Sequence, residues 1–149
     1  MKISTRVEFG ILALVDIAIY SEDGSTVPSA DISQRQNISQ KYLEQILSIL
    51  KNSGLVRGQK GSRGGYILSR PSDKITLCDV LNALDNNILA DTYEDDETES
   101  NELRNSVNSC VWDKLNCYMR EFTTRMTLSE IIDEYKSGSE SVGEYMYYI

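Results

Sequence analysis

The stretch SQKYLEQILSILKNSGLVRGQKGSRGGYIL, residues 39–68, decides the fold. Its first part sets Tyr42, Leu43, Ile46, Leu47, Ile49 and Leu50 at three- and four-residue steps, leaving Gln40, Lys41, Glu44, Gln45 and Ser48 on the other side. That pattern predicts an amphipathic helix, capped at its start by Ser39 and ended by Gly54. The second part changes period. Leu55-Val56-Arg57-Gly58 and Tyr66-Ile67-Leu68 read as two short strands around the basic, glycine-rich tip Gln59-Lys60-Gly61-Ser62-Arg63-Gly64-Gly65. A helix with a polar face followed by a basic hairpin predicts a wing beside that helix.

Before this stretch, Val7, Ile11, Leu14, Val15, Ala18 and Ile19 predict a first helix over residues 4–20, with Ser4 or Thr5 at its cap. Pro28 opens a short polar helix that ends near Asn37, a residue tolerant of left-handed backbone angles. Two short helices joined in this way resemble a helix-turn-helix. After the wing, Thr76 caps another helix, and residues 87–101 carry Asp91, Glu94, Asp95, Asp96, Glu97 and Glu99 without apolar periodicity. They read as a mobile acidic loop.

A long helix is expected from Glu102 to about Met126, because Trp112, Leu115, Met119, Phe122 and Met126 alternate steps of three and four. Such a stripe suits a partner helix, so Trp112, Leu115, Met119 and Phe122 are the candidate dimer interface. Thr127-Leu128-Ser129-Glu130 fits a capping box for a helix over residues 128–135, which Ser137-Gly138-Ser139 should break. The predicted organisation is mainly α with a small β-wing. A winged helix-turn-helix occupies residues 1–86, the acidic loop 87–101, dimerisation helices 102–136, and a flexible C-terminal tail 137–149.

Hydrophobic residues at 40 % and charged residues at 26 % of 149 suit a chain with a buried core. The apolar run of residues 11–19 contains Asp16 and is too short to span a bilayer, so a cytoplasmic location is expected. The net charge of -8 argues against a polyanionic partner until its distribution is read. Residues 1–74 hold ten Lys/Arg and seven Asp/Glu, net +3, and residues 75–149 hold five and sixteen, net -11. Within the first part, Lys51, Arg57, Lys60, Arg63, Arg70 and Lys74 face a single acid, Asp73, a basic patch on an acidic chain.

The candidate recognition helix carries side chains that suit base edges. Gln40 and Gln45 can bond adenine, Glu44 can accept from cytosine N4, and Tyr42 can reach a phosphate or a thymine methyl. Ser39 and Lys41 flank them, and Lys60, Ser62 and Arg63 on the wing tip are placed to enter a minor groove. An ordinary solvated helix face is the alternative reading. No Gly-Lys-Ser/Thr follows the glycines, so a phosphate loop of nucleotide-binding type is excluded.

The residues Lys2-Ile3-Ser4-Thr5-Arg6, Ile38-Ser39-x-x-Tyr42-Leu43-Glu44-Gln45, Gly54-Leu55-Val56 and Gly61-x-x-Gly64-Gly65-Tyr66 resemble the Rrf-two family of bacterial winged-helix regulators. The resemblance covers nearly the whole chain. It implies a homodimer with crossing long helices, two DNA-binding heads spaced for a palindromic operator, base reading by Tyr42, Glu44 and Gln45, and Lys60 at a wing position often held by Arg. Closest in pattern are the repressors of cysteine metabolism. Their likeness extends to the ending Tyr145-Met146-Tyr147-Tyr148-Ile149, which implies cysteine synthase as a partner captured through a terminal isoleucine and its carboxylate. Docking of that tail onto the protein's own dimer is the alternative.

Three cysteines and no histidine bear on the branch. Iron-sulfur members of the family place three cysteines in the loop before the long helix, and here that loop holds acids and no cysteine. Cys110 and Cys117, seven residues apart, should share a helix face roughly 10 Å apart, too far for a disulfide within one chain. They and Cys78 read as small packing residues, with an iron-sulfur or thiol-based redox sensor as the alternative. No catalytic residue, metal site or cofactor is predicted. A thiol enzyme would lack the histidine base, and a scaffold that has lost DNA binding would not need Lys60 and Arg63.

Overall fold

A computed structural model describes the backbone of residues 3–90 and 101–147, and the side chains of these through residue 141. Residues 91–100, on which most of the expected mobile acidic loop falls, and Tyr148 and Ile149 lie outside the described residues, as do the side chains of Tyr145, Met146 and Tyr147.

The head is built from α1 (Thr5–Tyr20), α2 (Ser29–Gln36), α3 (Gln40–Asn52), β1 (Val56–Gln59), β2 (Gly65–Leu68) and α4 (Leu77–Leu84). Local chemistry sets most boundaries. Ser4 Oγ accepts from the Val7 amide, Ser39 Oγ from the Tyr42 amide, and Thr76 and Asp79 form a reciprocal capping box. Asn37 takes the left-handed conformation at φ 53° that lets α2 turn sharply into α3. The α3 face carrying Leu43, Ile46, Leu47 and Leu50 is wholly buried against Val7, Leu14 and Ile17 of α1, Ile32 of α2 and Val80 of α4. At the crossing of α1 and α4 an added Cβ on Gly10 would stand 2.2 Å from Leu84 Cδ1.

β1 and β2 pair antiparallel, Val56 with Leu68, Arg57 with Ile67, Gly58 with Tyr66 and Gln59 with Gly65. A third segment joins them. Val27 and Tyr66 exchange both backbone hydrogen bonds at 2.8 Å, which fastens the wing to the segment leading into α2.

Beyond residue 100, α5 (Glu102–Val107) and α6 (Asp113–Arg125) continue one another through a π-helical segment, Asn108–Trp112. The expected long helix is therefore present but not uniform, and the apolar spacing accounts for the irregularity. Leu103, Val107, Val111 and Leu115 recur every four residues, so in a pure α-helix each would run ahead of the last by about 40°. A π turn takes an extra residue and sets the following face back by roughly 100°. That brings Leu115, Tyr118 and Phe122 into line with Leu103, Val107 and Val111, and all six are exposed.

The last helix, α7 (Leu128–Tyr147), begins at the Thr127–Glu130 capping box, as the sequence predicts. It then passes through Ser137-Gly138-Ser139 without the expected break. Ser139 and Ser141 donate to the carbonyls of Lys136 and Ser137, and Gly138 meets nothing that would force a turn. The junction of α6 and α7 is stitched to the head. The Leu77 amide donates to Met126, the Leu128 amide to Ile75, and the Leu128 side chain is buried in the head's core. Among the described residues no helix is long and apolar enough to cross a membrane.

Candidate nucleic-acid interface

The α1–α2 contact aims the helix-turn-helix. Asp16, on an otherwise apolar stretch of α1, is buried, and its carboxylate accepts from Arg35 Nε at 3.0 Å, Arg35 Nη2 at 2.7 Å and Gln36 Nε2 at 2.7 Å. Arg35 also lies 3.8 Å over the Tyr20 ring. Its hydrogen bond to Asp16 holds the guanidinium above its ordinary titration range. A buried carboxylate is tolerable only with such partners, so the pair fixes where α2 sits on α1.

With α2 fixed, the start of α3 is placed. Gln40, Lys41, Glu44 and Gln45 are exposed, and Tyr42 is half-buried with its ring edge-on to Phe9 at 5.9 Å. The oxygen of Ser39 is taken up as the helix cap. Gln40 Nε2 donates to Ser29 Oγ at 2.7 Å and to Glu44 Oε1 at 3.0 Å, so these three polar groups form one chain from α2 to α3. The predicted α3 residues therefore share one solvent-facing surface.

The wing is held close to the same surface. Thr26 Oγ1 donates to the Arg63 carbonyl at 2.7 Å, and Gly61 adopts φ 112° at the tip. At Gly65 a Cβ would stand 2.6 Å from the Val27 carbonyl carbon, so only glycine lets the strand reach its neighbour. Lys60, Ser62 and Arg63 are exposed on this tip. Between wing and α2 lies a cleft of about 360 Å³ lined by Ser29, Lys51, Lys60, Gly61 and Tyr66 among others. The Lys51 ammonium stands 3.5 Å from where a Gly58 Cβ would be, so it joins Lys60 at this cleft.

Two contributors escape sequence reading. Ser29 becomes part of the surface only because Gln40 reaches it, eleven residues on. The start of α1 enters because Ser4, Thr5 and Arg6 line a second cleft, of about 330 Å³, with Tyr42 and Gln45. For the start of α1 the sequence signal was the Lys2–Arg6 segment, which places no side chain, and for Ser29 there was none. Arg57 goes the other way: strand alternation turns it from the Lys51–Lys60 cleft to the opposite side of the wing.

The cysteines do not form a donor set among the described residues. No three of the His, Cys, Asp and Glu side chains there are grouped to hold a metal, and Cys110 and Cys117 are exposed while Cys78 is half-buried. Cys110 lies inside the π-helical segment, and the extra residue turns it away from the helix face of Cys117, which the uniform helix had given both. An iron-sulfur cluster needs several convergent thiolates, and these three thiols do not supply them within one chain.

Residues 3–134 match the Rrf2 family, described as iron-dependent transcriptional regulators. The regulator IscR of Erwinia tasmaniensis is 33 % identical over 133 residues, which cover 89 % of this chain and 79 % of that protein. The solved structure of CymR (YrzC), the global cysteine regulator of B. subtilis, is similar at TM-score 0.77 and 28 % identity, over 90 % of this chain and 98 % of that one. T. potens IscR is similar at TM-score 0.73 and 28 % identity, over 93 % and 90 %.

Proposed function

The chain belongs to the Rrf2 family of DNA-binding transcriptional regulators, and from that premise we propose that it is a homodimeric repressor of cysteine or sulfur metabolism genes, acting without an iron-sulfur cluster. It is a transcription regulator and not an enzyme. The observation that carries the reading is the single surface made by α3 and the wing. Gln40, Lys41, Tyr42, Glu44 and Gln45 enter the major groove with Ser39 at their cap, and Lys60, Ser62 and Arg63 follow the adjacent minor groove.

The homodimer is supported by the exposed stripe on α5 and α6. Trp112, Leu115 and Phe122 are exposed while Met119 is half-buried, and Leu103, Val107, Val111 and Tyr118 extend the apolar surface. A second copy crossing at this stripe covers it and sets two heads for a palindrome. The cysteine branch is supported by the cysteine-free acidic segment and by the likeness to CymR. In that branch Tyr145, Met146, Tyr147, Tyr148 and Ile149 serve as the peptide taken by cysteine synthase. The proposed organisation is a DNA-binding head over residues 1–86, the acidic loop 87–101, the dimer arm 102–136 and a partner-binding end within 137–149.

Operator binding is tested by gel shift across a salt series. Lys60→Ala and Arg63→Ala should each lower the salt slope by about one unit per lost phosphate contact. Gln45→Ala should relax preference at one base step, at about 1–3 kcal/mol. Unchanged operator affinity in all three variants would overturn the assignment. Deleting residues 147–149 should abolish calorimetric binding to the host's cysteine synthase and spare the operator. If the full-length chain shows no binding to that enzyme, with or without O-acetylserine, the partner is wrong.

A further inference from the structure

The wing has two faces with different chemistry. Gly58 and Tyr66 line the cleft beside Lys51 and Lys60, whereas the cross-strand pair of Arg57 and Ile67 lines another cleft on the opposite side, where α1 ends and α7 passes. Its volume, about 540 Å³, lies within the range of small-molecule sites. Ala18, Ile67, Leu68 and Ile132 give it an apolar lining, and charged groups stand around that lining.

Most of those charges are already committed. Arg70 donates to Asp79 at 3.0 Å and to the Lys74 carbonyl at 2.8 Å, and Lys136 pairs with Glu22. Arg57 has no ion pair or hydrogen bond among the described residues, nor do the side-chain hydroxyls of Ser69 and Ser129, which line the same cleft. On the α7 side Asp133, one turn before Lys136 and within reach of its charge, has no hydrogen bond to its carboxylate among the described residues. The cleft thus offers one cation from the wing, Arg57, a carboxylate from α7, Asp133, that has Lys136 one turn away as a charge neighbour but no hydrogen bond among the described residues, free hydroxyls and an apolar lining.

We propose that this cleft binds a small zwitterion, a free amino acid, with its carboxylate on Arg57, its ammonium toward Asp133 and its side chain against Ile67, Leu68 and Ile132. The charge pattern selects this class. An inorganic or nucleotide phosphate would meet the Asp133 carboxylate as well as Arg57, and in the proposed function a nucleic-acid backbone follows the other face of the wing. A bound amino acid bridges β1 and α7, so its occupancy links the wing to the helix that follows the dimer arm and shifts operator affinity.

The test is calorimetry on the full chain without DNA, titrating each of the twenty common amino acids to about 5 mM. At least one should bind with a Kd of about 1 mM or tighter, and the affinity should fall tenfold or more in Arg57→Gln and in Asp133→Asn, with the circular dichroism of both unchanged. The same compound lacking its amino group should bind wild type at least tenfold more weakly and should discriminate little between wild type and Asp133→Asn. No binding by any of the twenty, or binding indifferent to both substitutions, overturns the proposal. Because no DNA is present, the outcome is independent of the operator reading. A ligand that binds through Arg57 and Asp133 yet leaves operator affinity unchanged in gel shifts would refute the linkage while establishing the site.

Discussion

Replacing Arg35 with Met should destabilise the protein more than replacing Asp16 with Ala, although both remove the same ion pair. The asymmetry follows from burial. The Asp16 side chain is fully buried, whereas that of Arg35 is 29 % exposed and also rests on the Tyr20 ring. Without Asp16, the guanidinium keeps water and the ring face, and the loss is three charge-assisted hydrogen bonds already discounted by that exposure, about 2 kcal/mol. Without Arg35, the carboxylate stays buried with Gln36 Nε2 as its one remaining donor, a loss of about 3–5 kcal/mol. The double variant should cost less than the sum of the two, because the group stranded by one change is removed by the other. Urea unfolding followed by far-ultraviolet circular dichroism, at one fixed protein concentration because the stability of the proposed dimer would depend on it, measures all three. Since the pair sets α2 on α1, both single variants should also lose operator affinity. Equal losses, or a double variant whose cost is the simple sum, would show that Asp16 and Arg35 are not a buried charge and its neutralising partner.

The apolar stripe gives a second prediction: Leu115→Asp combined with Phe122→Asp should sediment as a folded monomer, and a persistent dimer would place the interface elsewhere. Gly65→Ala puts a methyl 2.6 Å from the Val27 carbonyl carbon, so the wing should detach from Val27 and operator affinity should fall about tenfold or more, with helical content retained. Near-native affinity would mean that this close approach is not needed. For Asp79, burial works to raise the carboxyl pKa, but bonds from the Thr76 amide and hydroxyl and from Arg70 outweigh it, so it lies below the ordinary 3.8. A depressed folded value means stability that is present above pH 3.8 and lost as pH falls through the folded value, and Asp79→Asn should flatten that part of the acid-unfolding curve. An acid limb identical to wild type would deny Asp79 that role. Anaerobically purified protein should be colourless, and iron and sulfide near one cluster per chain, lost in Cys110→Ala, would restore the iron-sulfur reading.

Periodicity and caps made most of the head legible before any coordinates. The α3 stripe, the Ser39, Thr76 and Thr127 caps, the left-handed Asn37 and the glycine-rich hairpin are local signals, since each depends on residues within a few positions of one another. The same reading misjudged α7, because a Ser-Gly-Ser triplet is a weak helix former rather than a prohibited one, and Ser139 within it and Ser141 just after it return their hydroxyls to the preceding turn. It also took the arm for a uniform helix. The four-residue spacing of Leu103, Val107, Val111 and Leu115 was visible, but relating it to a π turn required the backbone.

The sequence by itself determined which segments of the head are helix and hairpin, the basic character of the first half, and the polar side chains proposed to read bases, because periodicity, capping and charge are properties of short stretches. Tertiary structure decided what those side chains meet. Asp16 is joined to Arg35 across nineteen residues, Gln40 to Ser29 across eleven, Thr26 to Arg63 across thirty-seven, and Gly10 is pressed against Leu84. It also divided one basic stretch between two faces, Lys51 and Lys60 on one side of the wing and Arg57 on the other. Contacts of that kind arise only when distant segments share a core, and the pleat of a strand, not the density of charge along it, chooses the side on which each residue stands.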